Sequence, residues 1–398
     1  MHAQQLLHNL FEKSVDKVHK RRLTALFATV ESLLYGQELT LSGLGRSMQS
    51  KAYIRHNIKR VDRLLSNKRL QSDYKIFYQE LAKQAIGQTK NPIILIDWSQ
   101  LGENDKSYFI RASIPYGGRS LAIYEESHPK RLCNTTPTNT EFLDHLQGIL
   151  PNGCKPIIVT DAGTTFRCPW FKKIKKLRWD FVGRIRGGEK LLINTKGLWL
   201  TCKGVYVQAK KQAIHLGTSM LTKRSNFVCE MVLAKRTSKG RHGKYQHESE
   251  SNDRTYARNA TDPWLLATSL NSNLVSAQTI ISIYKKRMQI EELFRDTKNE
   301  RIGFGLKKTL TVSNKRLSIL LLIGTIATYL AFIIGKTGQR LSMQRQFLPN
   351  SIKHRSVLST FNLGCQMFLC DRIKIPIAKL LETIHLIPSL MQHTEDRS

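Results

Sequence analysis

The spacing of apolar residues divides the chain into segments with different predicted elements. Up to about residue 85, apolar positions recur every three to four residues, which predicts an all-helical and basic segment. Its first long stretch is Leu23 to Tyr35, which Gly36 is expected to end. A short element is predicted over residues 39–48, with Thr40 or Ser42 as its N-cap.

The third helix of this segment, predicted over Lys51 to Ser66, is apolar on one side and basic on the other. The apolar side is lined by Ile54, Ile58, Val61 and Leu65. The basic side carries Lys51, Arg55, Lys59 and Arg63. This pattern is typical of a helical DNA-binding unit with a basic recognition helix. A packed helix with an ordinary solvated basic face is the alternative interpretation.

From about residue 90 the apolar residues form continuous runs of strand length instead. The predicted elements are a buried strand over 93–96, a hairpin with strands over 108–114 and 120–124, a helix over 138–150, a buried strand over 156–160, a helix over 169–177 and a strand over 179–185. The order βββαβαβ is that of a ribonuclease-H-like core, so the fold class is predicted to be α/β.

Residues from about 187 to 262 interrupt this core, and we expect them to form a β-strand insertion. Two alternating segments, 198–207 and 227–233, predict its strands. The polar and basic run 236–259 is expected to be a flexible loop.

These patterns together predict three domains. A helical DNA-binding domain spans residues 1–85, and the ribonuclease-H-like domain with its insertion spans 90–335. A helical C-terminal region follows over 340–398, in which 377–387 is either a partner-binding helix, for dimerisation, or a helix packed on its own domain. The run 317–334 has no charged residue and reaches the lower length of a membrane span, but it is isolated and contains polar residues, which favours a buried core helix.

The charge of the chain indicates a polyanionic partner. The 398 residues carry a formal net charge of +33, from 63 Lys+Arg against 30 Asp+Glu, and the excess is spread from end to end. Nucleic acid is the first candidate and an anionic membrane surface the second. The cysteines have no CxxC spacing and are expected to be free thiols in a reducing cytoplasm. Their positions are Cys133, Cys154, Cys168, Cys202, Cys229, Cys365 and Cys370.

Three carboxylates are the candidate reacting groups. Asp97 ends the apolar run NPIILID, Asp161 ends KPIIVTD, and Glu291 lies in YKKRMQIEELFRDTK, which is predicted to be one helix. A carboxylate just past a buried strand is expected at the open edge of a sheet. Two such strands and one acidic helix can bring three carboxylates together, and such a set suits divalent metal ions and phosphoryl transfer.

Around Glu291 the predicted helix carries a stripe of functional side chains. At about 100° per residue, Tyr284, Arg287, Glu291 and Lys298 point the same way. Cationic side chains beside an acid suit phosphate binding. A solvated face with ion pairs is the alternative.

The spacing of this stripe resembles the Tyr-Arg-Glu-Lys signature of a group of bacterial insertion-sequence transposases. Asp97, in LIDWS, and Asp161, in VTDAG, match the first two catalytic acids of that group. The resemblance runs from HNIKRVDRLL at residue 56 to VLSTFNLG near the C-terminus, and is nearest to transposases of the elements that flank a composite tetracycline-resistance transposon.

The resemblance implies a cut-and-paste DNA transposase that binds the terminal inverted repeats of its element. It implies two Mg²⁺ ions, for which Mn²⁺ substitutes, with Asp97 bridging the pair and Asp161 and Glu291 each holding one. No HExxH or other zinc spacing offers an alternative metal site. It also implies a homodimer on paired DNA ends, cleavage through a hairpin intermediate, and a nucleoid-associated cytoplasmic location.

The family also implies DNA contacts. Tyr284, Arg287 and Lys298 would clamp a phosphate near the cleaved end. Trp264 resembles a tryptophan whose pocket accepts a flipped base, with a core tryptophan as the alternative. Met288 stands where the family sometimes has a second tryptophan. Further candidate phosphate contacts are Arg184 and Arg186, for which structural pairing is equally open. A metal-dependent nuclease of the same fold and an inactive repressor are the alternative functions.

Overall fold

The computed structural model describes residues 3–11, 18–102, 105–163, 166–193, 197–235, 262–349, 351 and 357–392. The chain divides into two units. The first unit comprises residues 1–133, 144–154 and 288–398, and the second comprises 134–143 and 155–287.

Within the described residues, the first unit begins with five helices, in the segment that the apolar period predicts to be all-helical; the second, third and fourth correspond to the three predicted elements. They are α1 (Ala3–Leu10), α2 (Lys20–Gly36), α3 (Leu41–Arg46), α4 (Ile54–Leu65) and α5 (Lys68–Ile86). Gly36 is the last residue of α2, and Gln37 after it adopts a left-handed conformation, with φ 49°. The Thr40 side chain accepts a hydrogen bond from the amide of Gly43 and caps α3, as predicted.

The basic helix α4 is shorter than predicted, because it begins at Ile54 and not at Lys51. Val61 and Leu65 are buried, but Ile54 is 56% exposed and does not belong to the packed face that the sequence assigns to it. Tyr53, just before the helix, is 75% exposed.

Three antiparallel strands of the first unit lie in the order β3-β2-β1. They are β1 (Ile93–Leu101), β2 (Ser107–Tyr116) and β3 (Arg119–Pro129), and β2 and β3 form the predicted hairpin with its turn at Gly117 and Gly118. The prediction that β1 ends before Asp97 is wrong. Pairing with β2 continues to Leu101 opposite Ser107, so Asp97 lies within the strand, opposite Arg111.

The helices of the C-terminal third complete the first unit. They are α10 (Met288–Lys298), α11 (Asn314–Arg340), α12 (Thr360–Leu369) and α13 (Ile377–Gln392). The predicted C-terminal helix extends past Pro388, which lies inside α13. One helix is long and apolar enough to cross a membrane, among those of the described residues; it is α11, and 94% of its most apolar window is buried in the chain. It is therefore a core helix, packed against α2, α5, α12 and β3.

The second unit has the remaining strands and helices. They are α6 (Thr136–Ile149, of which the part from Asp144 belongs to the first unit), β4 (Ile157–Thr160), α7 (Cys168–Lys176), β5 (Asp180–Arg184), β6 (Lys190–Leu192), β7 (Leu200–Thr201), α8 (Cys202–Tyr206), β8 (Ile214–Leu221), β9 (Phe227–Ala234), β10 (Trp264–Thr268) and α9 (Ala277–Lys285). Strands β4 and β5 are parallel, and β10, β9, β8, β6 and β7 continue the order with antiparallel pairing.

The element order βββαβαβ up to β5 agrees with the sequence prediction, and the region after it contains the expected strands. One segment differs, because 198–207 forms the short β7 and then the helix α8. The Thr201 side chain caps this helix by accepting from the amide of Gly204, which ends the strand there. The predicted flexible loop, 236–259, lies outside the described residues.

Candidate active site

The predicted single helix around Glu291 is wrong, because the segment forms two helices. Helix α9 ends at Lys285 and α10 begins at Met288. Between them the amides of Lys286 and Arg287 donate to the carbonyls three residues earlier, of Ile283 at 3.2 Å and Tyr284 at 3.0 Å. This tighter turn ends the regular helix. Tyr284 and Arg287 consequently belong to the second unit, and Glu291 and Lys298 to the first.

In the second unit, Asp161 directly follows the last residue of β4, as predicted. Its carboxylate is held by three donors. The hydroxyl of Tyr284 donates to Oδ1 at 3.0 Å, the amide of Ala162 donates to the same oxygen at 2.7 Å, and a guanidinium nitrogen of Arg287 lies 3.5 Å from Oδ2. Tyr284 and Arg287, two residues of the predicted functional stripe, therefore contact the second candidate acid.

These contacts keep Asp161 ionised. Burial acts to raise the pKa of its carboxyl, but the Arg287 guanidinium, the Ala162 amide, the Tyr284 hydroxyl and nearby Arg184 together hold that pKa below its ordinary value. Burial and the adjacent carboxylate raise the pKa of Tyr284 far above its ordinary value. The phenol therefore stays protonated and acts as the donor to Asp161.

The other candidate residues of the second unit lie around this acid or close to Asp262. Trp264 is the half-buried first residue of β10, and its ring meets that of Tyr284 edge-on at 5.1 Å. Arg184, at the end of β5, is buried and donates to the Asp262 carbonyl at 3.4 Å. Arg186 forms an ion pair with the Asp262 carboxylate at 3.6 Å. Both arginines thus have a structural partner in Asp262.

In the first unit, Asp97 shares one face of the sheet with residues of the adjacent strand. Side chains alternate along a strand, so Asp97 and Ser99 of β1 point to the same side. Arg111 and Phe109 of β2 lie directly opposite them. The Asp97 carboxylate accepts a hydrogen bond from the amide of Trp98 at 2.8 Å.

Helix α10 lies over this face, which brings Glu291 and Lys298 to the same side of the sheet as Asp97. The Lys298 ammonium donates to the Ser99 hydroxyl at 2.8 Å. The Arg111 guanidinium donates to the Thr297 hydroxyl at 3.1 Å. Between the same strand β2 and helix α10, the rings of Phe109 and Phe294 meet edge-on, with centroids 5.4 Å apart.

A groove of about 740 Å³ runs along the exposed side of α10. It is lined by Ser99, Glu291, Phe294, Arg295, Lys298, Asn299, Glu300, Arg301 and Lys307. Burial lowers the pKa of Lys298 to about 8, and the positive charges of Lys307 and Arg111 add to the effect. The groove thus combines one candidate acid with several cations.

The donor chemistry of the candidate acids fits a magnesium ion. Carboxylate oxygens are the ligands Mg²⁺ prefers, and this ion keeps several waters while using one or two carboxylates. Asp97 and Glu291 lie on one side of the first unit, and Asp161 remains anionic in the second. No group of three or more His, Cys, Asp or Glu side chains that could hold a metal by itself occurs within the described part of the chain.

The predicted DNA-contacting residues outside these clusters are solvent-accessible. Arg55, Lys59 and Arg63 are exposed on α4, and Lys51 is exposed just before it. Met288, the first residue of α10, is 39% exposed.

Sequence reasoning missed the side chains that surround Asp97 and Lys298. Ser99 follows Asp97 at the strand period of two, so a longer strand prediction would have placed it on the same face. Arg111 is the one charged residue in the apolar run of β2, SYFIRASIPY, and an isolated charge in a buried strand signals a specific partner. Arg301 and Lys307 carry no signal, because basic residues are common throughout this chain.

Comparison with known families supplies independent information. The family model described as "Transposase DDE domain" matches residues 88–330, which is more than half of the chain and includes Asp97, Asp161 and Glu291. A search of curated proteins finds no significant match.

Proposed function

This chain belongs to the family of transposases with a DDE domain, and we propose that it moves its own DNA element by a cut-and-paste reaction. It binds the terminal inverted repeats of the element, cleaves both strands at each end and joins the ends to a target. Within the family we assign it to the group with the Tyr-Arg-Glu-Lys signature, on the residues Tyr284, Arg287, Glu291 and Lys298.

We assign Asp97, Asp161 and Glu291 as the catalytic acids. They would hold two Mg²⁺, which when bound supply an activated oxygen nucleophile and stabilise the leaving oxygen. The lowered pKa of Asp161 supports this role, because a metal ligand has to be deprotonated.

The remaining signature residues position the DNA strand. Lys298, anchored on Ser99, offers an ammonium beside Glu291 for the phosphate next to the scissile bond. Tyr284 and Arg287 also bind a phosphate of the DNA, through the phenol hydroxyl and the guanidinium. To do so they exchange their contacts with the Asp161 carboxylate for contacts with phosphate oxygens. Trp264 offers an aromatic edge for a flipped base when the flanking DNA closes into a hairpin. Met288 is 39% exposed and apolar, and a methionine can wedge between bases.

The proposal rests on one geometric observation in the first unit. Helix α10, which bears Glu291 and Lys298, lies over the face of β1 that bears Asp97. An acid pair with an adjacent ammonium suits the cleavage of a phosphodiester, since in-line displacement accepts water first and a DNA 3′-hydroxyl afterwards. Because two ends have to be cut together, we propose a homodimer on paired ends.

The test is a cleavage assay on a labelled duplex that carries the end of the element, with Mg²⁺. Wild type is expected to produce nicks, then hairpin-ended flanks, then joined products. Glu291→Gln should abolish all three while DNA binding persists. Glu141→Gln, the same change at an exposed position of α6, is the matched control and should leave cleavage unchanged.

Two other outcomes would replace the proposal. Open breaks without hairpins or joining would favour a metal-dependent nuclease of the same fold. Tight binding of the end by folded wild type, without any cleavage in Mg²⁺ or Mn²⁺, would favour an inactive DNA-binding repressor.

A further inference from the structure

We propose that the groove along α10 binds the sugar-phosphate backbone of a DNA strand, and that Arg301 and Lys307 make its phosphate contacts. This rests on the proposed function and extends it, because neither residue belongs to the Tyr-Arg-Glu-Lys signature. Both line the groove together with Glu291 and Lys298.

The charges that line the groove favour an anionic ligand along it, beside the candidate acid Glu291. Four cationic side chains, of Arg295, Lys298, Arg301 and Lys307, face the carboxylates of Glu291 and Glu300. The carboxylate of Glu300 is offset by Lys308, whose ammonium lies 3.4 Å away outside the lining. Arg295 is likewise offset by Glu292, at 2.9 Å and also outside the lining. This leaves Lys298, Arg301 and Lys307 against Glu291. The balance around the groove is therefore positive, which attracts phosphates.

Arg301 and Lys307 are presented by a hydrogen-bonded turn and the 3-10 helix that follows it. The Asn299 side chain accepts hydrogen bonds from the amides of Arg301 at 2.8 Å and Ile302 at 3.0 Å. This interaction closes the turn directly after α10. Lys307 follows on a short 3-10 helix, Leu306–Lys308.

Close packing fixes this turn on α10. The amide of Phe304 donates to the Asp296 carbonyl at 2.9 Å. At Gly303 a Cβ atom would lie 2.3 Å from the same carbonyl oxygen, so the backbones meet without space for a side chain. A fixed turn holds its cations at a constant distance from α10, and less conformational entropy is lost when a ligand binds.

The size and openness of the groove suit an extended polyanion better than a single small anion. It is open to solvent, and four of its nine lining residues are Lys or Arg. Phosphodiester groups repeat along a DNA strand and accept contacts from Lys and Arg without regard to sequence. Either the strand of the element end or the target strand can supply this chemistry, and the experiment distinguishes them.

The primary experiment measures the salt dependence of DNA binding by the full-length chain, without a divalent metal. The probe is a fluorescein-labelled duplex of random sequence. Arg301→Gln/Lys307→Gln is compared with Arg372→Gln/Lys374→Gln, which removes an Arg and a Lys charge at exposed positions that do not line the groove. Two lost phosphate contacts should lower the slope of log K against log salt by about 1.8, and the control should keep the wild-type slope.

A charge-preserving variant guards against a folding defect. Arg301→Lys/Lys307→Arg should restore the slope, whereas a merely misfolded turn would not be rescued. An unchanged slope in the Gln double variant would overturn the proposal, as would an equal loss in the control. The slope needs no catalysis, so wild type that binds but never cleaves would refute the proposed function and leave this result standing.

A second measurement determines whether the groove binds the target DNA or the element end. A pre-cleaved element end is joined to plasmid DNA at increasing plasmid concentration. If the groove holds target DNA, the half-saturating plasmid concentration rises several-fold in the Gln double variant and end cleavage is unchanged. If it holds the element end, cleavage of subsaturating end duplex falls instead. Loss of neither activity overturns the proposal.

Discussion

At the scale of single residues, the packing around Lys298 determines the charge state of its ammonium. Its stem is partly buried, its ammonium is fixed on Ser99 and the Gln100 carbonyl, and other cations surround it. The result is a pKa of about 8, close enough to neutrality for the charge to change within the working range of an enzyme.

We expect DNA affinity to fall as the pH rises through about 8, because Lys298 then loses the charge that we propose binds phosphate. Lys298→Arg should remove this dependence between pH 7 and 9, since arginine stays charged. Anisotropy titrations across this range measure it. An equal pH dependence in Lys298→Arg would contradict the prediction.

The same shift has a consequence of opposite sign for stability. Between about 8 and the ordinary value of a lysine, the unfolded chain binds more protons than the folded one. The contribution of Lys298 to stability therefore rises with pH across this window.

Arg111 forms a buried ion pair with Glu125 that holds β2, β3 and α10 together. The Nε–Oε1 distance is 2.6 Å, and both side chains are almost fully buried. Glu125 also accepts hydrogen bonds from Tyr78 at 3.1 Å and from Thr325. Removal of one partner from such a pair leaves a buried charge without compensation.

We predict that Arg111→Met destabilises the first unit by about 3–5 kcal/mol, and that Arg111→Met/Glu125→Gln loses less, because no buried carboxylate is then left unpaired. Urea unfolding followed by hydrogen exchange in peptides of β2 and α10 measures both. Lys130→Met, which removes one partner of the exposed pair with Asp105, should cost less than about 1 kcal/mol. A double variant less stable than Arg111→Met would refute this interpretation.

At the scale of elements, the approach of α3 to α4 determines how the basic helix is presented. A Cβ atom on Gly45 of α3 would lie 2.5–2.7 Å from Ile58 of α4, including its backbone. Since backbone atoms cannot move aside alone, any side chain at this position has to push α4 away.

Gly45→Ala should therefore destabilise the chain by about 1–3 kcal/mol and weaken DNA binding through α4. Gly148→Ala is the matched control, because Gly148 lies within α6 with nothing within 4 Å of a new Cβ atom. That change should be neutral or stabilising by up to about 1 kcal/mol, from helix propensity. Thermal unfolding distinguishes the two, and equal melting temperatures would contradict the prediction.

The sequence predicts the order of strands and helices from β1 to β5, because each of these elements carries its own apolar run or period. It does not predict the extension of β1, because the continuous apolar run stops at Asp97 and the mixed residues WSQL after it are ordered by pairing with β2. The break between α9 and α10 is also missed. The residues there are ordinary helix formers without Gly or Pro, and the turn is stabilised by tertiary contacts of Tyr284 and Arg287 with Asp161.

The candidate site, too, is predictable where local sequence patterns mark its residues and not where contacts between elements do. The three acids and the signature lysine could be chosen from motif and context, because each follows an apolar run or lies in an acidic helical segment. The side chains that orient them could not. Ser99 and Arg111 act through contacts between elements, and only the folded chain reveals such contacts.

At the scale of the whole molecule, a net charge of +33 makes binding to DNA strongly dependent on salt. If α4 reads DNA, its charges should count for more than charges elsewhere. The test removes four charges from α4 and its N-terminal approach, at Lys51, Arg55, Lys59 and Arg63. The comparison variant removes four exposed ones, at Lys203, Lys211, Arg372 and Lys374.

We expect the α4 variant to lower the salt slope by up to about 3.6 and the comparison variant to change it little. Preference for the element end over a random duplex should fall only in the α4 variant. Equal slopes in both would mean that DNA is bound by overall charge, without a dedicated helix.

The order of the two units along the chain has a consequence for biosynthesis. All residues of the second unit have been translated once residue 287 is made, whereas the first unit needs residues from both ends of the chain. On the ribosome, β1 to β3 therefore wait for α10 and α11, and their apolar faces stay exposed to chaperones until late. A chain terminated at residue 287 contains Asp161, Tyr284 and Arg287 but lacks Glu291, so premature termination yields a protein without one of the three proposed catalytic acids.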